Sequence, residues 1–209
     1  MKIMETSIGE FVQKLSGASA TPGGGSVAAL AGALGAALCA MVGRLTAGRP
    51  KFRDVTPEMN IMLENADRLS LKLLDLADKD IDAYNRVMAA FKMPKENEKQ
   101  STLRRKAIQN AFKQASRIPM QTLQTLEEVV SLVEKSLLKG NPNCFCDAAV
   151  AAELVRAAAR SAAYNVRINL PEIDDKDFVQ QIQAELTERL PGIFSVFQNL
   201  EKIIDSHLG

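Results

Sequence analysis

The chain has 209 residues and a mass of 22.7 kDa, the size of one domain that can bury a core without staples. Lys and Arg number 26 against 25 Asp and Glu, with 46% hydrophobic residues, which excludes wholesale disorder and leaves no charge excess to coat nucleic acid or anionic lipid. One His and no Trp remove His-based triads and His metal cages, and three Cys cannot all pair, which fits a reducing cytoplasm.

The start, MKIMETSIGEF, carries no export-signal pattern. Ser7 and Glu10 form an S-x-x-E capping box that opens a helix closed by Gly17. A loop with Thr21-Pro22-Gly23-Gly24-Gly25 follows, and Ser26 is placed to cap a helix reaching about Thr46. Within it, Val27 to Gly43 is uncharged but rich in Ala and Gly, short and weakly apolar for a bilayer span, so it reads as a buried helix and not as a membrane segment. Ala28, Gly32, Ala36 and Ala40 recur every four residues on one face, and Leu30, Leu34 and Leu38 line another. After a loop bearing Arg49, Lys51 and Arg53, Thr56-Pro57 starts a helix that runs to Phe91, before Met93-Pro94. Asn97 to Arg117 and Pro119 to Lys139 read as two helices broken by Pro119, and Gly140-Asn141-Pro142-Asn143 as a turn. Asp147 caps a second Ala-rich helix to about Val166, with Asn165 to Pro171 read as extended. Asp174 or Asp175 begins a helix interrupted at Pro191-Gly192, and a last helix follows. With 28 Ala and no strand alternation, residues 1–209 are expected to form one all-α bundle of long antiparallel helices, the longest carrying Asp80.

Three features point to chemistry. Gly23-Gly24-Gly25-Ser26 enters a helix N-terminus whose free N–H groups can hold an anion or a polar ligand edge; no Lys follows the glycines and no strand precedes them, so it is neither a Walker loop nor a dinucleotide fingerprint. Along the acidic run Asp75, Asp78, Asp80, Asp82, Asp80 turns to a different face from Asp78 and Asp82, beside Ala77, Ile81 and Tyr84. In a partly apolar pocket its pKa would rise toward a useful acid–base value; the plainer alternative is a solvated acidic face. Asn165, Arg167 and Asn169 cluster at one end of the second Ala-rich helix, in excess of what capping needs. Cys144 and Cys146 have only Cys39 and His207 as possible co-ligands, so no metal site is expected.

The segments TPGGGSVAALAGALGAAL with MVGRLTAG, DKDIDAYNRVMAAFKMPK and GNPNCFCDAAVAAELVRAAARSAAYNVRINL resemble, in order and spacing, the cyclodeaminase/cyclohydrolase family of folate one-carbon enzymes over nearly the whole chain. The departures are small: Cys146-Asp147-Ala148-Ala149 replaces a Ser/Thr-Asp-Ala-Gly pattern, and Arg49-Pro50-Lys51-Phe52 replaces a run of Lys. The resemblance implies an all-helical homodimer that needs no cofactor beyond its substrate, a tetrahydrofolate one-carbon derivative with a polyglutamate tail. It implies that Asp80 is the functional acid. The expected reaction is cyclodeamination of 5-formimidoyltetrahydrofolate to 5,10-methenyltetrahydrofolate and ammonia; the alternative is cyclohydrolase interconversion of 5,10-methenyl- and 10-formyltetrahydrofolate. Gly23, Gly24, Gly25, Ser26, Tyr84, Asp147, Asn165 and Asn169 are candidates to position the substrate, Arg167 to meet a carboxylate or orient an acid, and Lys51 and Arg53 to meet the glutamate tail. A rival of another class is a non-enzymatic helix bundle whose small-residue faces merely dimerise.

Overall fold

A computed structural model describes residues 2–208. Six α-helices follow one another among these residues, with no strand: α1 (Ile8–Leu15), α2 (Gly24–Ala47), α3 (Thr56–Phe91), α4 (Glu98–Lys139), α5 (Phe145–Asn169) and α6 (Lys176–Leu208). Helix α2 is the centre, packed on α3, α4 and α5. It is the one described helix long and apolar enough to cross a membrane, and 61% of its apolar window is buried inside the protein. Its small face is the buried one: Ala28, Gly32, Ala36 and Ala40 let neighbouring backbones approach, and Leu30, Leu34 and Leu38 are left half-buried or exposed. A β-carbon on Gly32 would overlap the Leu126 side chain from α4, so the small residues set how closely the helices pack.

Several boundaries differ from the expected ones for identifiable reasons. Ser7 caps α1 by accepting the Glu10 N–H at 3.2 Å, but the Glu10 carboxylate turns to Lys14 at 3.0 Å instead of closing the box. Helix α2 begins at Gly24 with Gly23 as its cap, and Ser26, inside the first turn, accepts the Gly23 N–H at 3.1 Å. Helix α4 is not broken at Pro119 and at 42 residues is longer than α3 at 36. Pro119 cannot donate to the Ala115 carbonyl, but Asn169 of α5 donates its Nδ2 there at 3.1 Å, filling the gap from a neighbouring helix. Helix α6 likewise continues through Pro191, where the carbonyl left without a helical donor belongs to the exposed Thr187 and water can satisfy it. The stretch around Asn165 is helical to Asn169 and not extended, because each Asn turns its Nδ2 back onto its own helix: Asn165 to Ser161 O at 2.9 Å and Asn169 to Asn165 O at 2.8 Å. Asp175 caps α6, accepting the Phe178 N–H at 3.1 Å.

Candidate active site

The N-terminus of α2, the middle of α3 and the C-terminus of α5 meet at one end of the bundle around a cavity of about 410 Å³. Gly23, Gly24 and Gly25, Asp80 and Tyr84, and Asn165 and Asn169 all line it. Helical spacing separates the four acids of α3. Asp75 pairs with Lys79 at 2.6 Å, Asp78 accepts the Ile3 N–H at 2.8 Å, Asp82 is exposed, and Asp80 turns inward onto α2. A β-carbon on Gly25 would overlap the Asp80 carboxylate, so only glycine lets that carboxyl sit on the first turn of α2. There two effects oppose each other: burial disfavours the charged form, whereas the Ser26 backbone N–H favours it. Burial is the larger, and the Asp80 carboxyl is pushed up to about 6. This carboxyl is half-buried against a helix end, not part of a solvated acidic face.

The other walls are apolar. Val87, Met88 and Phe91 continue the α3 side, and Phe112 and Ala115 come from α4, with Phe91 and Phe112 edge to face at 6.0 Å between centroids. This aromatic wall was not foreseen in the sequence. Phe91 stands at a helix end and Phe112 in a helix with no motif around it; the one available signal was that both lie on an apolar face of their helix. Asn169 has a second duty here, since the carbonyl it satisfies at Ala115 belongs to a wall residue. With both amide nitrogens bound to backbone carbonyls, the Asn165 and Asn169 Oδ1 atoms meet no donor among the described residues and stand as acceptors beside the cavity. Asp80 and Tyr84 are the only titratable side chains among the lining residues, and no Lys or Arg is among them.

The remaining expected residues lie elsewhere. Ser26 borders the site through its backbone N–H, while its hydroxyl is spent on Gly23. Arg167 turns away, toward Leu170 and Leu186 on one side and Arg160 and Phe194 on the other, so it does not face Asp80. Lys51 lies beyond the C-terminal end of α2, beside Arg49, Asn141 and Asn143, and Arg53 closes the same short turn. With 24 residues in α2, this is about 36 Å from the glycine loop. Asp147 is in the first turn of α5 at that same far end, and its side chain caps nothing, because Cys144 takes the cap position. Within one chain, Lys51, Arg53 and Asp147 therefore do not share the Asp80 cavity. The Asn141 turn is explained by capping: Asn141 donates its backbone N–H to Thr46 Oγ1 at 2.8 Å and its Nδ2 to Leu45 O at 3.2 Å, closing α2, and accepts the Asn143 N–H at 3.1 Å.

No group of three or more His, Cys, Asp or Glu side chains suited to a metal occurs among the described residues. Burial pushes the Cys39 thiol up to about 11 and also raises that of Cys144, which keeps both as unreactive thiols.

Residues 7–188 match the family model described as formiminotransferase-cyclodeaminase. A methenyltetrahydrofolate cyclohydrolase of Methylorubrum extorquens is 37% identical over 180 residues, covering 86% of each chain. A formimidoyltransferase-cyclodeaminase of Mus musculus is 32% identical over 188 residues, covering 90% of this chain but 35% of its own length, so the present chain spans about a third of that relative. The crystal structure of a formiminotetrahydrofolate cyclodeaminase from Thermotoga maritima superposes with a TM-score of 0.89 at 33% identity, covering 99% of this chain and 100% of the other.

Proposed function

The chain belongs to the formiminotransferase-cyclodeaminase family, and from that premise we propose that it is a formimidoyltetrahydrofolate cyclodeaminase with Asp80 as its proton shuttle. It is an enzyme, a cyclodeaminase or a cyclohydrolase, which sets aside the non-catalytic helix bundle. The observation that carries the reading is the desolvated Asp80 carboxyl on the N-terminus of α2, with a pKa of about 6, in a cavity whose lining holds no other carboxyl, no amine and no imidazole.

In this reaction N10 of 5-formimidoyltetrahydrofolate attacks the carbon attached to N5 of the protonated amidine, whose extra proton makes the nitrogen an amino group in the intermediate. A tetrahedral carbon forms that bears N5, N10 and the amino group. Asp80 as carboxylate takes the proton lost from N10 and returns it to the amino nitrogen, which leaves as ammonia while the C–N bond breaks and 5,10-methenyltetrahydrofolate forms. A carboxyl that titrates near 6 can both accept and return that proton at neutral pH. The Oδ1 atoms of Asn165 and Asn169 can accept N–H donors of the pterin, and the Phe91–Phe112 wall suits an aromatic ring. Holding N10 against the carbon supplies the proximity that cyclisation needs. The reading includes a cytoplasmic homodimer acting on a polyglutamylated folate, without metal, cofactor, nucleic acid or membrane.

The cyclohydrolase is the second reading, favoured by the Methylorubrum extorquens relative, which matches along most of both chains. The same carboxyl would then deprotonate the water that attacks the methenyl carbon. An absorbance assay for the methenyl chromophore separates the two. Chromophore formation with ammonia release from the formimidoyl substrate supports cyclodeaminase. Turnover confined to the methenyl and 10-formyl pair assigns cyclohydrolase, and turnover of neither overturns both.

A further inference from the structure

We infer that Pro119, which does not line the Asp80 cavity, sets what that cavity recognises: it leaves the Ala115 carbonyl without a helical donor, and that carbonyl holds the Asn169 amide with its NH2 against the bundle and its Oδ1 open as an acceptor for an N–H of the substrate's ring. This rests on the folate reading above. Pro119 is buried in the interior of α4, one turn after Ala115. Any other residue there would donate its own N–H to the Ala115 carbonyl and complete the helix ladder. Proline has no N–H, and its ring crowds the carbonyl four residues back, so that carbonyl must find a donor off its own helix. Asn169 of α5 supplies it at 3.1 Å and turns the other hydrogen of the same NH2 to Asn165 O at 2.8 Å. Carbonyl oxygens only accept, so the end of the amide that faces both must be the nitrogen, and it has no third hydrogen. Asn169 therefore presents only its Oδ1 to a ligand.

Two comparisons within the molecule attribute this to the proline. Asn165, one turn earlier on α5, donates to a single carbonyl, Ser161 O at 2.9 Å, and a β-carbon on Gly24 would lie 3.7 Å from its Nδ2 and 3.8 Å from its Oδ1. Its amide keeps an N–H as well as an acceptor and can meet either kind of group. Pro191 of α6 opens the same gap in its helix, but the carbonyl it abandons belongs to the exposed Thr187 and takes no side-chain donor among the described residues. Ala115 is itself a lining residue, so the path from Pro119 to the cavity is one carbonyl and one amide long. A tetrahydropterin carries N–H donors at its 2-amino group, N3 and N8, and an acceptor at O4. An acceptor fixed at Asn169 pairs with a donor position and rejects the ring turned so that O4 faces it, because two opposed acceptors leave both unpaired. The orientation of the ring in turn decides where N5 and N10 lie against Asp80. Pro119 is thus a positioning residue that acts through Asn169.

A double-variant cycle tests this. Pro119→Ala and Pro119→Val differ in size but share the restored N–H, so an effect common to both belongs to the N–H and not to packing. Each should take the Ala115 carbonyl back into the helix, free the Asn169 amide to turn, and raise KM about 3- to 10-fold for whichever one-carbon folate the wild type turns over, with kcat within about twofold. Asn169→Ala should raise KM at least as much and should melt earlier than the wild type, because it strands the Ala115 carbonyl. Adding Pro119→Ala to Asn169→Ala should then restore the melting temperature and raise KM no further. The inference fails if either Pro119 variant binds substrate as the wild type does, or if Pro119→Ala raises KM by the same factor with and without Asn169. It fails as well if Asn169→Ala leaves KM unchanged. Loss of the folate reading looks different: the wild-type chain itself would turn over no one-carbon folate.

Discussion

At the C-terminal end of α2 the side chains of Asn141 and Thr46 are spent on closing the helix. Asn141 donates to Thr46 and Leu45 and accepts from Asn143, and Thr46 in turn donates to Val42 O at 2.6 Å. At the N-terminal end the balance is reversed: a half-buried carboxyl lies against Gly25 with a single backbone donor, and the acceptors of Asn165 and Asn169 are unfilled. In sequence the two ends look alike in one respect, each a Gly- and Pro-containing loop. What distinguishes a cap from a ligand site is how many polar atoms the fold leaves open for a ligand to meet.

The strongest way to break this contrast is Asp80→Asn. It keeps the volume and removes the titrating proton, and kcat should fall about 10²–10⁴-fold with little change in KM. Asp82→Asn and Asp78→Asn should leave kcat near wild type; for Asp78 the expected loss is in thermal stability, because its carboxylate holds the Ile3 N–H. Steady-state kinetics on the three variants decides it, and a folded Asp80→Asn protein with wild-type kcat would return Asp80 to the solvated face.

Next in size is Gly25→Ala. Its methyl group would have to displace the Asp80 carboxyl from the first turn of α2, and a shift of about 1 Å at a reacting group costs on the order of 10²-fold in kcat. Gly192→Ala, where a β-carbon meets nothing within 4 Å, is the matched control and should leave kcat unchanged.

A third measurement reads the cost of burying the acid. In the folded chain Asp80 titrates near 6 rather than at its ordinary 3.8, so between these values the native state holds more protons than the unfolded one and stability falls as pH rises. Below pH 3.8 Asp80 is protonated in both states and costs nothing; above about 6 the full penalty applies. Asp80→Asn should therefore unfold later than the wild type at pH 7.5, by about 1–3 kcal/mol, with the advantage vanishing toward pH 4. Urea titrations across this range check the sign, and equal stability of the two proteins at every pH would mean that the carboxyl is not desolvated. The smallest effect is expected at the other end of α2. Asn141→Ala removes one side-chain bond to the helix C-terminus and one from the Asn143 N–H in the turn, and should cost about 1–2 kcal/mol in stability while leaving kcat within twofold, by melting and by steady-state rates.

Much of this was legible in the residues themselves. The Ala content, the Pro and Gly punctuation and the i, i+4 face of small residues on α2 sufficed for an all-α bundle with that helix inside, because local propensity and periodicity act within one helix. Asp80 was separable from Asp78 and Asp82 by helical phase alone. The breaks expected at Pro119 and Pro191 do not occur, for the same reason that the other boundaries were legible: a local rule counts only local donors. Whether Pro ends a helix depends on who else can satisfy the carbonyl it abandons, and at Ala115 that partner is Asn169, 54 residues away along the chain.

The sequence by itself therefore determined the all-α class, the burial of α2 and the separation of Asp80 from Asp78 and Asp82, since each follows from propensity or spacing along a single element. Only the tertiary structure decided that Asn165, Asn169 and the glycine loop meet Asp80 while Lys51, Arg53 and Asp147 stand about 36 Å away at the other end of α2. That division depends on the antiparallel run of α2 against α5, which sends neighbours in sequence to opposite ends of the bundle. The carboxyl's shift toward 6 was decided there too, because desolvation comes from the neighbours that α2 brings against Asp80 and from no property of the acidic run.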